Sequence, residues 1–344
     1  MKATQQLHDL GQSIWLDNIT RDLLTSGTLE RYIDELSVTG LTSNPTIFDK
    51  AIESTSSYDG AIAGSGKQGE ELFFELAIDD LRAAADIFRP IFERTHGVDG
   101  WVSLEVSPLL AYDAKSTIAA AVDLHRESDR PNLFIKIPGT PEGLPAVEEA
   151  IFAGVPVNVT LLFDAAQYRA AAEAYIRGIE RRVEAGLDPA VGSVASVFVS
   201  RWDTAVGSLG LGVAMSKRTY AAYREVLDSD RWQRLANEGA RPQRLLWAST
   251  GVKDPDAPDT LYVTELAAPY TVNTMPESTL LAFGDHGVVD GTLEADPNAG
   301  SEFDVDVKAL ALQLQQQGAE SFDKSWDELL HCIARKTDTV MATS

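Results

Sequence analysis

The chain has 344 residues, of which 44% are hydrophobic, and this content suffices for a large core. Its 29 basic and 52 acidic residues give a net charge of -23, so its surface repels nucleic acids and anionic membranes, and any phosphate site must be a local basic patch. The single cysteine, Cys332, excludes an intrachain disulfide framework and a cluster of thiolate metal ligands.

Short apolar segments with strand character alternate with longer amphipathic segments along most of the chain. Between the strands, residues 70–94 have apolar side chains at spacings of three and four, and residues 164–186 begin with an N-cap aspartate and end at a glycine. This alternation predicts an α/β fold with parallel strands. For a chain of this length, it predicts a (β/α)8 TIM barrel with extra N- and C-terminal helices. The predicted strands cover residues 13–18, 38–44, 101–107, 133–138, 156–163, 194–200, 244–250 and 270–275.

No linker divides the chain, so we expect residues 1–344 to form a single barrel domain with the terminal helices packed on it. Residues 290–302 form a Pro- and Gly-containing loop before two predicted terminal helices, which we interpret as decoration on the barrel. An open doubly wound sheet is the alternative fold. Its candidate dinucleotide turn, GSGKQG (64–69), follows a poor strand and is therefore predicted to be a flexible loop.

The N-terminal residues MKATQQLHDLGQS have no apolar signal region, and no run of about 18 apolar residues occurs elsewhere. We therefore expect a soluble cytoplasmic protein that binds neither membranes nor nucleic acids.

Several predicted strands carry polar groups on one face and apolar groups on the other. In the strand at 133–138, Lys136 shares a face with Phe134, and the other face is aliphatic. Asp17 and Asn44 end two other strands. In a barrel these side chains converge where the carboxyl ends of the strands meet. The same period of two assigns to the inner face Glu105, Asn158, Thr160, Ser196 and Phe198.

Each of these residues also has a structural interpretation. Lys136 can face solvent on an edge strand, and Asp17 can cap the helix predicted after it. Glu105 can form a structural salt bridge with Lys136, and Asn158 and Thr160 can be ordinary interior polar residues. Their joint placement near the ends of predicted strands favours a common polar pocket.

A lysine buried in such a pocket is a candidate nucleophile. Burial disfavours the charged form of an amine, and the neutral amine attacks a ketone to form a Schiff base, an electron sink for carbon–carbon cleavage. Proton transfer in this chemistry needs carboxylates, and Asp17 and Glu105 are available. The five histidines are scattered, so we expect no metal and no cofactor.

Motifs in order along much of the chain resemble those of the transaldolases, in their longer bacterial branch. They are SIWLDN (13–18), GLTSNPTIF (40–48), SLEVSP (103–108), LFIKIPGT (133–140), VPVNVTLLF (155–163), SVFVSRWD (196–203), WASTGVKDP (247–255) and YTVNTMPESTL (270–280). The resemblance implies a (β/α)8 barrel and a Schiff-base mechanism without metal. It implies reversible transfer of a dihydroxyacetone unit from sedoheptulose 7-phosphate or fructose 6-phosphate to glyceraldehyde 3-phosphate or erythrose 4-phosphate, in the non-oxidative pentose phosphate pathway.

The resemblance also assigns catalytic roles. It implies that Lys136 forms the Schiff base and that Asp17 moves the proton at the cleaved carbon–carbon bond. Glu105, with a water held by Thr160, is implied to move protons around the Schiff base.

Substrate binding is implied for a second set of residues. By resemblance, the dihydroxyacetone moiety and the lysine are contacted by Asn44, Asn158 and Ser196. Phe198 resembles the aromatic residue that shields the site. Arg201 and Ser249 resemble the phosphate-binding arginine and its hydroxyl partner. Shorter members have a second arginine just after that serine, whereas this chain has Lys253, slightly displaced. Lys253 is either a phosphate ligand or a solvated loop lysine.

Two other functions compete with transfer. The first is a fructose-6-phosphate aldolase-like enzyme of the same barrel family, which cleaves without transferring. Such aldolases are shorter and tend to carry Gln and Tyr where Glu105 and Phe198 stand here, so these two residues favour transfer. The second is a noncatalytic sugar-phosphate-binding barrel. In each case sugar phosphates are the expected ligands, and the chain is expected to be a monomer or a homodimer.

Overall fold

The computed structural model describes residues 1–343, and these form a closed barrel of eight parallel strands. The strands are β1 (Ser13–Asp17), β2 (Val38–Thr42), β3 (Trp101–Glu105), β4 (Leu133–Pro138), β5 (Val157–Leu162), β6 (Ser193–Phe198), β7 (Gln243–Ala248) and β8 (Val272–Met275). They follow one another around the barrel in chain order, and β8 pairs with β1 to close it. The predicted (β/α)8 fold is confirmed.

Helices connect the strands and extend the chain at both ends, as predicted. They are α1 (Ala3–Asp9), α2 (Arg21–Thr25), α3 (Thr28–Leu36), α4 (Pro45–Ser54), α5 (Asp59–Ser65), α6 (Gly69–Arg94), α7 (Ala114–Ser128), α8 (Leu144–Ala153), α9 (Ala165–Glu184), α10 (Ser200–Val206), α11 (Leu211–Asp228), α12 (Asp230–Asn237), α13 (Leu261–Glu265), α14 (Glu277–His286) and α15 (Val307–Thr343). Residues Pro108–Leu110 form a turn of 3₁₀ helix. The helices predicted at 70–94 and 164–186 correspond to α6 and α9.

Side-chain caps determine where several helices begin. Asp164 accepts a hydrogen bond of 2.8 Å from the backbone N–H of Gln167 and so caps α9, as its sequence position indicates. Thr20, rather than Asp17, caps α2 by accepting from the backbone N–H of Leu23 at 3.0 Å. The capping interpretation of Asp17 is therefore wrong, and its carboxylate has other partners.

The GSGKQG segment (64–69) joins two helices. Its first residues end α5 and its last residue begins α6, so a helix stands where a dinucleotide turn requires a strand. Gly66 has a φ of 70°, a left-handed conformation that ends a helix at low cost for glycine. Together with barrel closure, this placement excludes the doubly wound alternative.

The two faces of β4 belong to two different cores, as its alternation predicts. Leu133, Ile135 and Ile137 pack in the large core between the strands and the helices. Phe134 packs inside the barrel, where its ring stacks on Trp101 with a centroid separation of 4.0 Å. Aromatic packing therefore fills the interior, and the polar inner-face residues gather nearer the carboxyl ends.

The end of β5 departs from the predicted alternation. Leu161 has a φ of 59°, and the register against β6 shifts between Val159 and Leu162. Leu162 therefore packs in the outer core, whereas Leu161 joins a separate cluster with Phe163 and Trp202. A period of two that puts Asn158 and Thr160 on the inner face would put Leu161 on the outer one, but the left-handed conformation of Leu161 redirects the chain.

One long helix, α15, replaces the two predicted terminal helices. Residues 307–343 contain no proline, and the strong helix formers Ala, Leu and Gln are frequent among them. The one glycine, Gly318, weakens the helix locally but does not end it. The interpretation of this segment as decoration is also wrong, because its residues line the barrel mouth.

Contacts near both ends of α15 hold it across the carboxyl end of the barrel. Gln315 Nε2 donates hydrogen bonds to the carbonyl oxygens of Gly139 and Leu161, at 3.0 and 2.9 Å. Farther along, Lys336 Nζ lies 3.0 Å from a carboxylate oxygen of Asp59 in α5. The helix is thus fixed to β4 and β5 as well as to the helices beside them.

Gly40 in β2 is expected to tolerate no side chain. A Cβ there would lie 2.6 Å from the carbonyl oxygen of Trp101 and 2.8 Å from Trp15 Nε1, and both tryptophans are buried. Gly40→Ala should lower the free energy of unfolding by about 1–3 kcal/mol, measured by urea denaturation. The control is Gly60→Ala in α5, where nothing lies within 4 Å of a Cβ. It should be neutral or slightly stabilising, and equal stability of both variants would contradict the steric argument.

Candidate active site

A cavity of about 380 Å³ opens where the carboxyl ends of the strands meet. This is the end of a (β/α)8 barrel at which active sites form. Every predicted site residue except Glu105 lines it: Asp17, Asn44, Lys136, Asn158, Thr160, Ser196, Phe198, Arg201, Ser249 and Lys253.

Lys136 lies on the inner face of β4, and only 9% of its side chain is exposed. Its Nζ donates a hydrogen bond of 2.8 Å to the carbonyl oxygen of Ser43 and lies 3.1 Å from Glu105 Oε2. The solvent-facing interpretation of Lys136 is therefore wrong. The amine is held in one position, with a carboxylate within proton-transfer distance.

Glu105 lies behind Lys136 rather than on the cavity wall. The register pairs it with Lys136 on the neighbouring strand, so the predicted salt bridge is present. However, its Oε1 is buried and has no hydrogen-bond partner among residues 1–343, and the same holds for Thr160 Oγ1 on β5, on the other side of β4. Burial raises the pKa of the Glu105 carboxyl, and the positive charge of Lys136 opposes this rise. Both groups can bond a water, and Thr160, which lines the cavity, can also bond a substrate hydroxyl.

Asp17 accepts a hydrogen bond from Thr42, which in turn bonds Thr274, and the sequence singled out neither threonine. Thr42 Oγ1 donates to Asp17 Oδ1 at 2.8 Å and lies 2.7 Å from Thr274 Oγ1. Because a hydroxyl has one proton to donate, Thr274 is the donor to Thr42 when Thr42 donates to Asp17. Burial raises the pKa of the Asp17 carboxyl, while the bond from Thr42 and the charge of Lys136 oppose the rise.

Asn158 and Ser196 form a hydrogen-bonded pair beside Lys136. Ser196 Oγ donates to Asn158 Oδ1 at 2.6 Å, and Asn158 Nδ2 donates to Ser103 Oγ at 3.3 Å. The register places Asn158 directly next to Lys136. These bonds fix the orientation of the Asn158 amide at the cavity wall.

Asn44 combines a structural role with a place on the cavity wall. Its Oδ1 accepts a hydrogen bond of 3.1 Å from the backbone N–H of Ile47 and thereby caps α4. The cap uses the carbonyl oxygen of the side chain, so the Nδ2 amide is the group left to donate to a ligand.

Three cations line the mouth of the cavity: Lys50, Arg201 and Lys253. All three are exposed, and within residues 1–343 none of them lies within ion-pair distance of a carboxylate. Ser249, beside Lys253 on the cavity wall, shares a hydrogen bond of 2.8 Å with Ser200. In a chain with a net charge of -23, unpaired cations gathered at one opening form the local basic patch that binding of a phosphate requires.

Aromatic side chains cover the lysine. Phe198, at the end of β6, lies 5.5 Å from Phe163 and 6.4 Å from Phe322, measured between ring centroids. Phe322 belongs to α15, and the sequence did not indicate it. Other lining residues that went unpredicted are Thr42, Thr46, Ile47, Lys50, Leu246, Ala248, Thr274, Ser321 and Ser325.

Within residues 1–343, no three side chains of His, Cys, Asp or Glu come close enough together to hold a metal ion. In that same part of the chain, no helix is both long enough and apolar enough for a membrane crossing.

The fold and the site define a (β/α)8-barrel protein in which a buried lysine amine, paired with Glu105, faces a cavity with a basic rim. A family model described as transaldolase/fructose-6-phosphate aldolase matches residues 14–333, and the chain belongs to this family. The family resemblance that the motifs indicated is confirmed.

Individual relatives are similar over nearly their whole length. A protein from Thermobifida fusca strain YX, named transaldolase, is 47% identical over 96% of this chain and 97% of its own. Proteins with the same name from Saccharopolyspora erythraea and Mycobacterium tuberculosis strain H37Rv are 46% and 45% identical. The first of these matches 97% of each chain, and the second matches 96% of this chain and 95% of its own.

Proposed function

We propose that the protein is a transaldolase, which transfers a dihydroxyacetone unit from a ketose phosphate to an aldose phosphate. Sedoheptulose 7-phosphate and fructose 6-phosphate are the donors, and glyceraldehyde 3-phosphate and erythrose 4-phosphate the acceptors, in the non-oxidative pentose phosphate pathway. The observation that carries the proposal is Lys136, held between Ser43 and Glu105 beneath a basic rim. The names of the similar proteins support it.

In this mechanism, the neutral amine of Lys136 attacks the ketone carbon of the donor. Loss of water from the resulting carbinolamine gives the Schiff base, which accepts the electron pair of the breaking carbon–carbon bond. The carbonyl oxygen of Ser43 and the Glu105 carboxylate fix Nζ at the start of this sequence. Glu105 accepts a proton from the attacking amine and returns one to the departing hydroxyl.

Asp17 takes the proton from the hydroxyl whose carbon–carbon bond breaks and gives it back when the acceptor aldehyde is attacked. Its raised pKa suits this exchange, because the carboxyl then binds and releases a proton more evenly near neutral pH. Thr160, whose hydroxyl is buried and unpaired, holds the water that carries protons between Glu105 and the Schiff base.

Polar residues on the cavity wall bind the two ends of the donor. Asn44, Asn158 and Ser196 bond the hydroxyls of the three-carbon unit next to Lys136. Arg201 and Lys253, with the Ser249 hydroxyl, bind the phosphate, and Arg201 supplies the bidentate contact that a lysine does not. Phe198 shields the reacting carbon atoms.

A fructose-6-phosphate aldolase-like enzyme remains the second candidate, since the same family includes it. Glu105 and Phe198 favour transfer, because a site that restricts water and protonation keeps the enamine intact until the acceptor arrives. Fructose 6-phosphate with and without erythrose 4-phosphate separates the two functions. Rapid release of free dihydroxyacetone without acceptor would favour the aldolase.

Borohydride trapping tests the proposed function directly. Protein incubated with fructose 6-phosphate and borohydride should gain the mass of a reduced substrate fragment on the peptide that contains Lys136. No adduct under conditions of turnover would defeat the Schiff-base mechanism, and a chain that only binds sugar phosphates would also give none.

Arg201→Ala is expected to raise the KM for fructose 6-phosphate by about tenfold to a hundredfold, because a charge-assisted phosphate contact is lost. The kcat should change little, since the contact exists in both the ground state and the transition state. Steady-state kinetics give both values. Lys308→Ala is the matched control, because Lys308 is exposed and does not line the cavity. An unchanged KM in Arg201→Ala removes Arg201 from the phosphate site.

We also propose that residues 1–344 act as one domain. The packing of α15 across the strand ends supports this, because the helix provides part of the cavity wall. A single chain supplies the whole lining described above, which is compatible with activity as a monomer or as a homodimer.

A further inference from the structure

We propose that Phe322 on α15 keeps bulk solvent away from the enamine carbon bound to Lys136 and thereby determines whether the three-carbon unit is transferred or released. The inference rests on the proposed transaldolase function. It assigns a second role to a helix that lies outside the barrel and follows all of its strands in the chain.

The position of the Phe322 ring carries the proposal. The ring is half-buried and lines the cavity, and its centre lies 5.9 Å from Lys136 Nζ. Phe198 approaches from β6, and its ring lies at 61° to that of Phe322. Two aromatic rings from distant parts of the chain thus line the same cavity as the amine, and the part of the wall that they cover offers water no hydrogen-bonding group.

Hydrogen bonds of residues before and after Phe322 in α15 fix the position of its ring relative to Lys136. Gln315, two turns earlier, donates to the carbonyl oxygen of Gly139, just beyond the end of β4. Ser325, about one turn later, accepts a hydrogen bond of 2.9 Å from Thr46 at the start of α4. The ring is therefore positioned relative to Lys136 by the strand that carries the lysine.

After cleavage of the donor, the three-carbon unit remains on Nζ as an enamine. In transfer, the enamine carbon attacks the acceptor aldehyde, a new carbon–carbon bond forms and the aldehyde oxygen takes a proton. Water then hydrolyses the product Schiff base and frees both the ketose phosphate and Lys136. In release, that carbon takes a proton to give an iminium, water adds to the iminium carbon and returns a proton, and the carbon–nitrogen bond breaks. Dihydroxyacetone and free Lys136 result, and the water consumed equals the water lost when the Schiff base formed. Both branches end in hydrolysis of a Schiff base, so they differ in whether the enamine carbon is protonated or attacks the aldehyde. Keeping water away from that carbon until the acceptor arrives slows its protonation and therefore slows release.

The test compares release with transfer. Release is dihydroxyacetone formed from fructose 6-phosphate alone, and transfer is sedoheptulose 7-phosphate formed when erythrose 4-phosphate is added. In Phe322→Ala the ratio of release to transfer should rise about tenfold, because an aromatic contact near the intermediate is lost. Phe322→Leu, which keeps an apolar side chain, should stay near the wild-type ratio. Phe322→Tyr keeps the ring and adds a hydroxyl that attracts water, so it should raise the ratio without loss of packing.

Leu312→Ala is the matched control, because Leu312 is exposed on the same helix and does not line the cavity. It should leave the ratio unchanged. If release and transfer fall equally in Phe322→Ala and stay in proportion in Phe322→Tyr, Phe322 only supports the structure and the inference is overturned. If the wild-type protein then still transfers and gives a borohydride adduct on Lys136, the proposed function stands. If the wild-type protein shows neither transfer nor adduct, the function and the inference are both overturned.

Discussion

Lys136→Ala is expected to lose nearly all transfer activity, with kcat/KM lowered by at least about 10⁴-fold. The substitution removes the atom that bonds to the ketone, and the other cations of the cavity line its mouth rather than its base. Transfer is measured as sedoheptulose 7-phosphate formed from fructose 6-phosphate and erythrose 4-phosphate. The borohydride adduct should also disappear.

The control for this prediction must separate lost chemistry from lost folding. Without Lys136, Glu105 stays buried with no cation beside it, and an unpaired buried charge destabilises a protein. The double variant Lys136→Met with Glu105→Gln fills the same space and removes the unpaired charge. We expect it to be folded and inactive. Activity within about tenfold of wild type in either variant would exclude Lys136 as the nucleophile.

Asp17→Asn is expected to lower kcat by about 10²-fold to 10⁴-fold, because an amide does not accept the proton of the hydroxyl at the cleaved bond. Schiff-base formation depends on Lys136 and Glu105 and should continue. Borohydride should then trap the whole six-carbon substrate on Lys136, where the wild-type protein gives a three-carbon adduct as well. Trapping of the three-carbon adduct in Asp17→Asn at the wild-type rate would contradict the role of Asp17.

The same substitution is expected to stabilise the fold at neutral pH. The Asp17 pKa is raised by burial from its ordinary value of 3.8, so the folded protein binds this proton more tightly than the unfolded chain does. The contribution of Asp17 to stability is therefore fully present below pH 3.8 and is lost as the pH rises through the folded-state pKa. Asn carries no charge, and the variant avoids this loss.

Urea denaturation of both proteins between about pH 4 and pH 8 measures the effect. The stability of Asp17→Asn relative to wild type should increase with pH and then become constant above the folded-state pKa of Asp17. Asp304→Asn is the matched control, since Asp304 is exposed and remote from the cavity, and no such trend is expected there. A relative stability of Asp17→Asn that falls with rising pH would contradict a raised pKa for Asp17 in the folded protein.

The barrel and the base of its site follow from local sequence patterns. The alternation in β4 places Lys136 on the inner face, and parallel neighbours then bring Glu105 and Asn158 beside it. The same alternation could also have found Thr42, two residues before Asn44, and Thr274 on the inner face of β8. Neither was predicted, because a threonine in a strand is common and carries no chemistry of its own.

Other features depend on contacts between distant parts of the chain, and periodicity contains no information about them. The apolar pattern of α15 indicates a helix but not which surface the helix covers, so Phe322 could not be placed over Lys136. Lys50 lies on the exposed face of α4, after β2, and Arg201 follows β6 on the opposite side of the barrel. Only barrel closure places the two cations at one cavity mouth, where they form the basic rim. The left-handed Leu161 likewise reflects packing against its surroundings rather than a preference of leucine.

The position of α15 after all eight strands has a consequence for biosynthesis. Ribosomes make a chain from its N-terminus, and folding can begin before synthesis ends. Lys136, Glu105 and Asp17 are therefore made early, and all eight strands emerge before the residues of α15. A growing chain can close its barrel while one side of the cavity is still unbuilt. The pocket reaches its final shape only after α15 leaves the ribosome, so closure of the barrel alone does not complete the part of the cavity wall that Phe322 supplies.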